Sequence, residues 1–198
     1  MSSNKIIKPK LHHVNFNTNK LQEMIDWYAL VLGMKANFQS SAAAFLSNDE
    51  SNHRIAMINT PQLDDDPNRY QHISFQHHAY EYDSLNDLLD TYFRLKEHGI
   101  VPLFNLDHGL TTSMYYVDPD RHMVELQIDN HEDWAASTIF LQTSEDFRAN
   151  PIGVEFVPEE MKADLDSGLS LKEIHKKSYA GAYKPETPFD FSHLTTAL

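Results

Sequence analysis

The stretch LHHVNFNTNKLQEMIDWYALVLG, residues 11–33, reads as a strand, a helix and a stop. Residues 11–17 alternate in strand fashion, with His13, Asn15 and Asn17 on one face and His12, Val14 and Phe16 on the other. Leu21, Met24, Ile25, Tyr28 and Leu32 then recur every three or four residues, the stripe of an amphipathic helix. Thr18 or Asn19 can cap its start, and Gly33 suits its C-terminal cap. MKANFQ, AAFLS and HRIAMIN follow as three short strands, with a turn over residues 48–52.

The chain then repeats itself. YQHISFQ (residues 70–76) has the alternation of a strand, with His72, Ser74 and Gln76 on one face and Ile73 and Phe75 on the other. Leu85, Leu88, Leu89, Tyr92 and Leu95 form a second helical stripe, capped by Asp83 or Ser84 and ended by Gly99. IVPLFN, TSMYYVD and HMVELQID supply three more strands. The pattern is a βαβββ module used twice, over about residues 10–60 and 69–130, joined by the Pro- and Asp-rich loop PQLDDDPNR. This predicts an α+β fold of paired βαβββ modules forming an open barrel-like sheet. Residues 1–130 make one domain, and residues 131–198 form a partly helical extension that packs on it or on a partner subunit. Trp134, Ile139, Phe140 and Phe156 are the apolar residues of that extension, and YKPETPFDF is expected to run extended.

Composition excludes several function classes. A net charge of −13 lacks the basic face that nucleic acid requires. The absence of cysteine removes disulfides and thiolate metal sites. The first ten residues lack the apolar core of a signal peptide, and no apolar run approaches the roughly 20 residues of a membrane span. The expectation is a soluble, cytoplasmic protein with no nucleic-acid or membrane partner. No Gly-rich phosphate loop argues for a nucleotide cofactor.

Glu125 stands out, because it interrupts the apolar run Met-Val-Glu-Leu-Gln-Ile. A buried carboxylate needs a wet face or a cation to compensate it. His13, His72 and Glu125 fall on the polar faces of three strands, and two imidazoles with one carboxylate form the facial ligand set of a non-haem Fe(II) centre. Spacing alone also fits three hydrogen-bonded polar residues at the mouth of a sheet.

The same stretches resemble the vicinal oxygen chelate superfamily, which groups glyoxalases, bleomycin-resistance proteins and dioxygenases. Within it they resemble the one-domain type I extradiol ring-cleaving dioxygenases. LHHVNF is similar to the first ligand strand, which selects His13 over His12; YQHISFQ resembles the second, and YYVDPDRHMVEL the strand-turn-strand that ends in the ligand Glu125. FLSNDESNHRIAM resembles the segment carrying an acid–base histidine, here His53. HGLTTSMY resembles the segment that supplies His108 and Tyr115, and Asn15 also occurs in some members.

The resemblance implies metal ligation by His13, His72 and Glu125 and catalysis by His53, His108 and Tyr115. It implies contacts to substrate from Asn15, His108 and Tyr115. The cofactor would be Fe(II), with Mn(II) fitting the same ligands. The partners would be a catechol-type aromatic diol and O2, the product a ring-opened semialdehyde, and the assembly a homo-oligomer. Arg121-His122 departs from the usual Gly-Asn and crowds that hairpin. His77-His78 and His98 are expected to be solvated.

Other readings are a glyoxalase-like isomerase, a thiol transferase, or a non-catalytic protein that sequesters an aromatic ligand. The glyoxalase type usually adds a carboxylate from the last strand of the first module. HRIAMIN has none.

Overall fold

The computed structural model describes residues 6–131 and 133–193. The chain divides into two compact units, residues 1–65 and 66–198.

In the first unit, strand β1 (Val14–Thr18) leads into helix α1 (Leu21–Leu32), and β2 (Lys35–Gln39), β3 (Ala43–Ser47) and β4 (Ile55–Asn59) follow. The sheet order is β1-β4-β3-β2, with β1 parallel to β4 and the other pairs antiparallel. Helix α1 buries Met24, Ile25, Tyr28, Val31 and Leu32, the stripe that its periodicity predicts. No side chain caps its start. Instead the Lys20 amide donates to Thr18 Oγ1. Gly33 ends the helix at φ 65°, a left-handed conformation that costs a residue with a Cβ about 1–2 kcal/mol.

The second unit repeats the order. Strand β5 (His77–Glu81), helix α2 (Leu85–Glu97), β6 (Phe104–Asp107), β7 (Thr111–Val117) and β8 (Met123–Asp129) form a sheet of order β5-β8-β7-β6-β9. Again the first strand lies parallel to the last, with His77 opposite Met123 and Ala79 opposite Glu125. Ser84 caps α2 through the Asp87 amide, and Leu85, Leu88, Leu89, Tyr92 and Leu95 are buried. Each sheet is open.

One expected strand is displaced. Residues 70–76 do not pair; Arg69–Gln71 form a 3-10 turn, and Ile73 and Phe75 are exposed. A strand ending at residue 76 would leave eight residues before α2. Pairing of His77–Glu81 with β8 leaves three, the short β–α connection that compact modules favour.

The extension belongs to the second unit. It comprises α3 (Trp134–Thr143), α4 (Glu145–Ala149), β9 (Val154–Glu155), α5 (Pro158–Asp166) and α6 (Leu171–Tyr179). Strand β9 adds to the edge of the sheet by pairing with β6, α5 packs on α2, and α6 lies on β6 and β9. Phe156 is buried, whereas Trp134 and Ile139 are exposed. Gly153 (φ 96°) enables the approach of β9, since a Cβ there would stand 2.1 Å from the Asp107 carbonyl oxygen. Among the described residues no helix is long and apolar enough to cross a membrane.

Candidate functional site

Two clusters of functional side chains emerge, one in each unit. In the second unit the pleat of β8 turns Glu125 to the same face as Met123 and Gln127. Glu125 is buried, 5% exposed. Tyr115, its partner across the β7–β8 ladder, donates its phenol proton to Glu125 Oε1 at 2.9 Å. With that proton committed, the phenol oxygen accepts from His108 Nε2 at 2.8 Å. On the other side of the carboxylate, His77 Nε2 stands 3.0 Å from Oε2. His108, Tyr115, Glu125 and His77 therefore form one continuous row.

The electrostatics follow from burial and these bonds. Burial pushes the Glu125 carboxyl up, but bonds with His77, Ser113 and Tyr115 more than offset it and hold it below the usual carboxylate range. Burial pushes the Tyr115 phenol far up, reinforced by the Glu125 charge, so it remains a proton donor. Desolvation pushes the half-buried His108 imidazole down. His108 is positioned from behind. The Asp107 carboxylate, fully buried, accepts from the Gly109 amide and Asn130 Nδ2 and pairs with His175 Nδ1 of α6 at 2.9 Å.

The His77–Glu125 pair fits a metal. His77 Nδ1 is 3.0 Å from Gln76 Oε1, an acceptor that would hold the Nδ1–H of a metal-bound imidazole and leave Nε2 for the ion. Two ligands about 2.1 Å from one cation and at right angles to it lie about 3 Å apart, which is this separation. Neutral imidazole and carboxylate are also the donor types that suit Fe or Mn.

His72 does not belong to this group. It is exposed, follows the 3-10 turn, and pairs with Asp66 at 3.1 Å. The pairing of β5 with β8 brings His77 to Glu125 instead, which corrects both the choice of His72 and the reading of His77 as solvated. A sequence signal for His77 existed. His13 and His77 each stand eight residues before the first residue of their module's helix, whereas His72 stands thirteen before. His78 is half-buried as well, and desolvation pushes its imidazole down to about 4.

The wall beside Tyr115 is aromatic. Phe104 stacks on Tyr115 with ring centroids 4.5 Å apart, and Phe189 and Phe191 pack on Phe104 at 5.0 and 5.1 Å. Both come from the YKPETPFDF stretch, whose position no local pattern revealed. The Arg121-His122 hairpin is closed by local pairs. Arg121 adopts φ 66°, lies 5.0 Å over the Tyr70 ring, and accepts at its carbonyl from the Tyr70 hydroxyl. His122 pairs with the buried Asp118.

In the first unit His13 and His53 do come together, with ring centroids 4.4 Å apart. His12 joins them rather than facing away, because β1 begins only at Val14 and the alternation does not extend back to residue 12. Burial, then the neighbouring imidazoles, push His53 down. Asn15 lies on the exposed face of β1.

Paired βαβββ modules, the second with a polar row across its sheet, define a class, and the comparisons name it. Residues 10–126 match the Glyoxalase/Bleomycin resistance protein/Dioxygenase superfamily. The chain belongs to this family. It is 36% identical to biphenyl-2,3-diol 1,2-dioxygenase 2 of Rhodococcus globerulus, over 95% of this chain and 98% of that one. It is 34% identical to biphenyl-2,3-diol 1,2-dioxygenase 3 of the same organism, over 88% and 91%. Among solved structures, a glyoxalase/dioxygenase from Nostoc punctiforme shares the fold. Its TM-score is 0.51 at 21% identity, over 65% of this chain and 99% of that one.

Proposed function

We propose that the protein is an Fe(II)-dependent extradiol dioxygenase that opens the ring of a catechol-type aromatic diol with O2. The observation that carries this reading is the row His108–Tyr115–Glu125–His77. The two relatives named as biphenyl-2,3-diol dioxygenases support it. His77 and Glu125 serve as two metal ligands of the second module, and the LHHVNF motif of the first, with His13, resembles the family strand that carries a further ligand. Mn(II) fits the same ligand types. The metal, when bound, supplies a template that holds diol and O2 in attack geometry, an effect worth about 7–11 kcal/mol.

The remaining work falls to side chains of this chain. Tyr115 holds its proton on Glu125 and fixes the carboxylate orientation. His108, with its imidazole pushed down by burial, accepts or donates a proton at a substrate oxygen. His53 is the acid–base residue of the first module, and Asn15 hydrogen-bonds the substrate. Phe104, Phe189 and Phe191 offer ring faces to an aromatic substrate and keep water off it.

The test is reconstitution with Fe(II) under anaerobic conditions, followed by 2,3-dihydroxybiphenyl, catechol or 3-methylcatechol in air. A yellow ring-opened product is expected. His77→Ala and Glu125→Gln should each lower the rate by at least ~100-fold, with loss of bound iron, and His72→Ala should leave both unchanged. Iron retained in His77→Ala but lost in His72→Ala would overturn the ligand assignment. No product from any of the three diols, with iron bound, would overturn the reaction.

A further inference from the structure

His12 has no part in the reading above, yet the chain brings it to His13 and His53. One nitrogen of each imidazole lies within 4.8 Å of the others, and Nδ1 of His12 and Nδ1 of His13 are 3.0 Å apart. Adjacent residues of a strand point to opposite faces. These two do not, because they precede β1 in unpaired backbone. Arg54 holds this segment by donating from Nη1 to the His12 carbonyl at 3.1 Å, and Arg54 is itself anchored on Asp49. His53 is fixed by stacking on Phe45, with centroids 5.1 Å apart and planes at 28°. His12 and His13 are exposed and His53 is half-buried, so an ion can enter from solvent.

We propose that His12, His13 and His53 form a second metal site, a three-imidazole site for a Zn2+-class divalent cation within the first unit. Three imidazoles and a water complete a tetrahedral shell, and rotation of the exposed side chains closes the separations to bonding range. An all-nitrogen set without a carboxylate favours zinc, copper, nickel or cobalt over Fe(II), which lies lower in the affinity order. The ligand set differs from His77/Glu125 but shares His13. Zinc held here would withdraw His13 from the proposed catalytic ligands and inhibit the enzyme. That consequence rests on the function proposed above; the binding itself does not.

The test uses the full chain carrying His77→Ala and Glu125→Gln, which removes the second unit's ligand pair. Titration with Co2+, read by visible d–d absorption and by equilibrium dialysis, should give one ion per chain. Adding His12→Ala should weaken binding at least ~10-fold, while His98→Ala, an exposed control, should not. No Co2+ bound by the double variant, equal affinity after His12→Ala, or an equal loss in the His98→Ala control would each overturn the proposal. In the otherwise unchanged Fe(II)-loaded protein, His12→Ala should keep the ring-opening rate and relieve inhibition by Zn2+. Co2+ binding by the double variant, with no diol cleavage by the otherwise unchanged Fe(II)-loaded protein, would refute the dioxygenase reading alone. Cleavage with no Co2+ bound by the double variant would refute the three-imidazole site alone.

Discussion

The two modules share one topology and differ in what the inner edge of the last strand carries. In both, a histidine stands eight residues before the helix, and the first strand lies parallel to the fourth. Asn15, two residues beyond His13, faces Ala56, and Ala79, two beyond His77, faces Glu125. Ala56 is 2% exposed, between Asn15 and Phe45 on the neighbouring strands, while Glu125 is 5% exposed and held by Tyr115, Ser113 and His77. The same backbone thus accommodates either a methyl group or a carboxylate. Only the second module provides the donors that a buried charge requires.

The sharpest way to break this comparison is to exchange the two positions. Ala56→Glu buries a carboxylate with no donor built for it, and should cost about 3–5 kcal/mol in urea unfolding, enough to leave much of the chain insoluble. A soluble variant of unchanged stability would show that the first module can also host a charge.

The next effect is pH-dependent and concerns His78 of β5. Its folded-state pKa is about 4, below the unfolded value of about 6.5. A depressed histidine pKa means that the unfolded chain takes up the proton first. The folded state is therefore unpenalised above pH 6.5 and loses stability as pH falls toward 4, by about 3 kcal/mol in all. His78→Phe should flatten urea midpoints of the metal-free protein between pH 6.5 and 4. A slope that persists would assign the effect to other groups.

Tyr115→Phe tests the row itself. It deletes the donor to Glu125 and should cost about 1–3 kcal/mol of stability and roughly 10–100-fold in the proposed activity or metal affinity. An unchanged iron affinity would mean that the carboxylate is oriented by Ser113 and His77 alone. The smallest effect is expected at Arg121. Its φ of 66° costs about 1–2 kcal/mol, and its contact with the Tyr70 ring returns about 0.5–1 kcal/mol. Arg121→Gly should therefore stabilise the protein by no more than about 1 kcal/mol, measured by thermal unfolding.

Much of this was legible along the chain. The stripes of α1 and α2 fix the helices, because a period of 3.6 with an apolar face has one way to be buried. The module repeat and Gly33 as a stop were readable from pattern, and the HGLTTSMY motif singled out His108 and Tyr115, though not the hydrogen bond that joins them. The tail aromatics Phe189 and Phe191 and the bracing His175 were not, since each reaches the site from residues far away in sequence.

The choice between His72 and His77 marks the boundary most clearly. The sequence singled out a histidine-bearing strand at the start of the second module and Glu125 in its last strand. Alternation of polar and apolar residues is clearest over residues 72–76 and breaks at Gln76-His77-His78, so a period of two marks the segment that stays unpaired and not the one that pairs. Only the register of β5 against β8, set by backbone hydrogen bonds and by the short link to α2, decided it. That register turns His77 onto the carboxylate and leaves His72 in solvent.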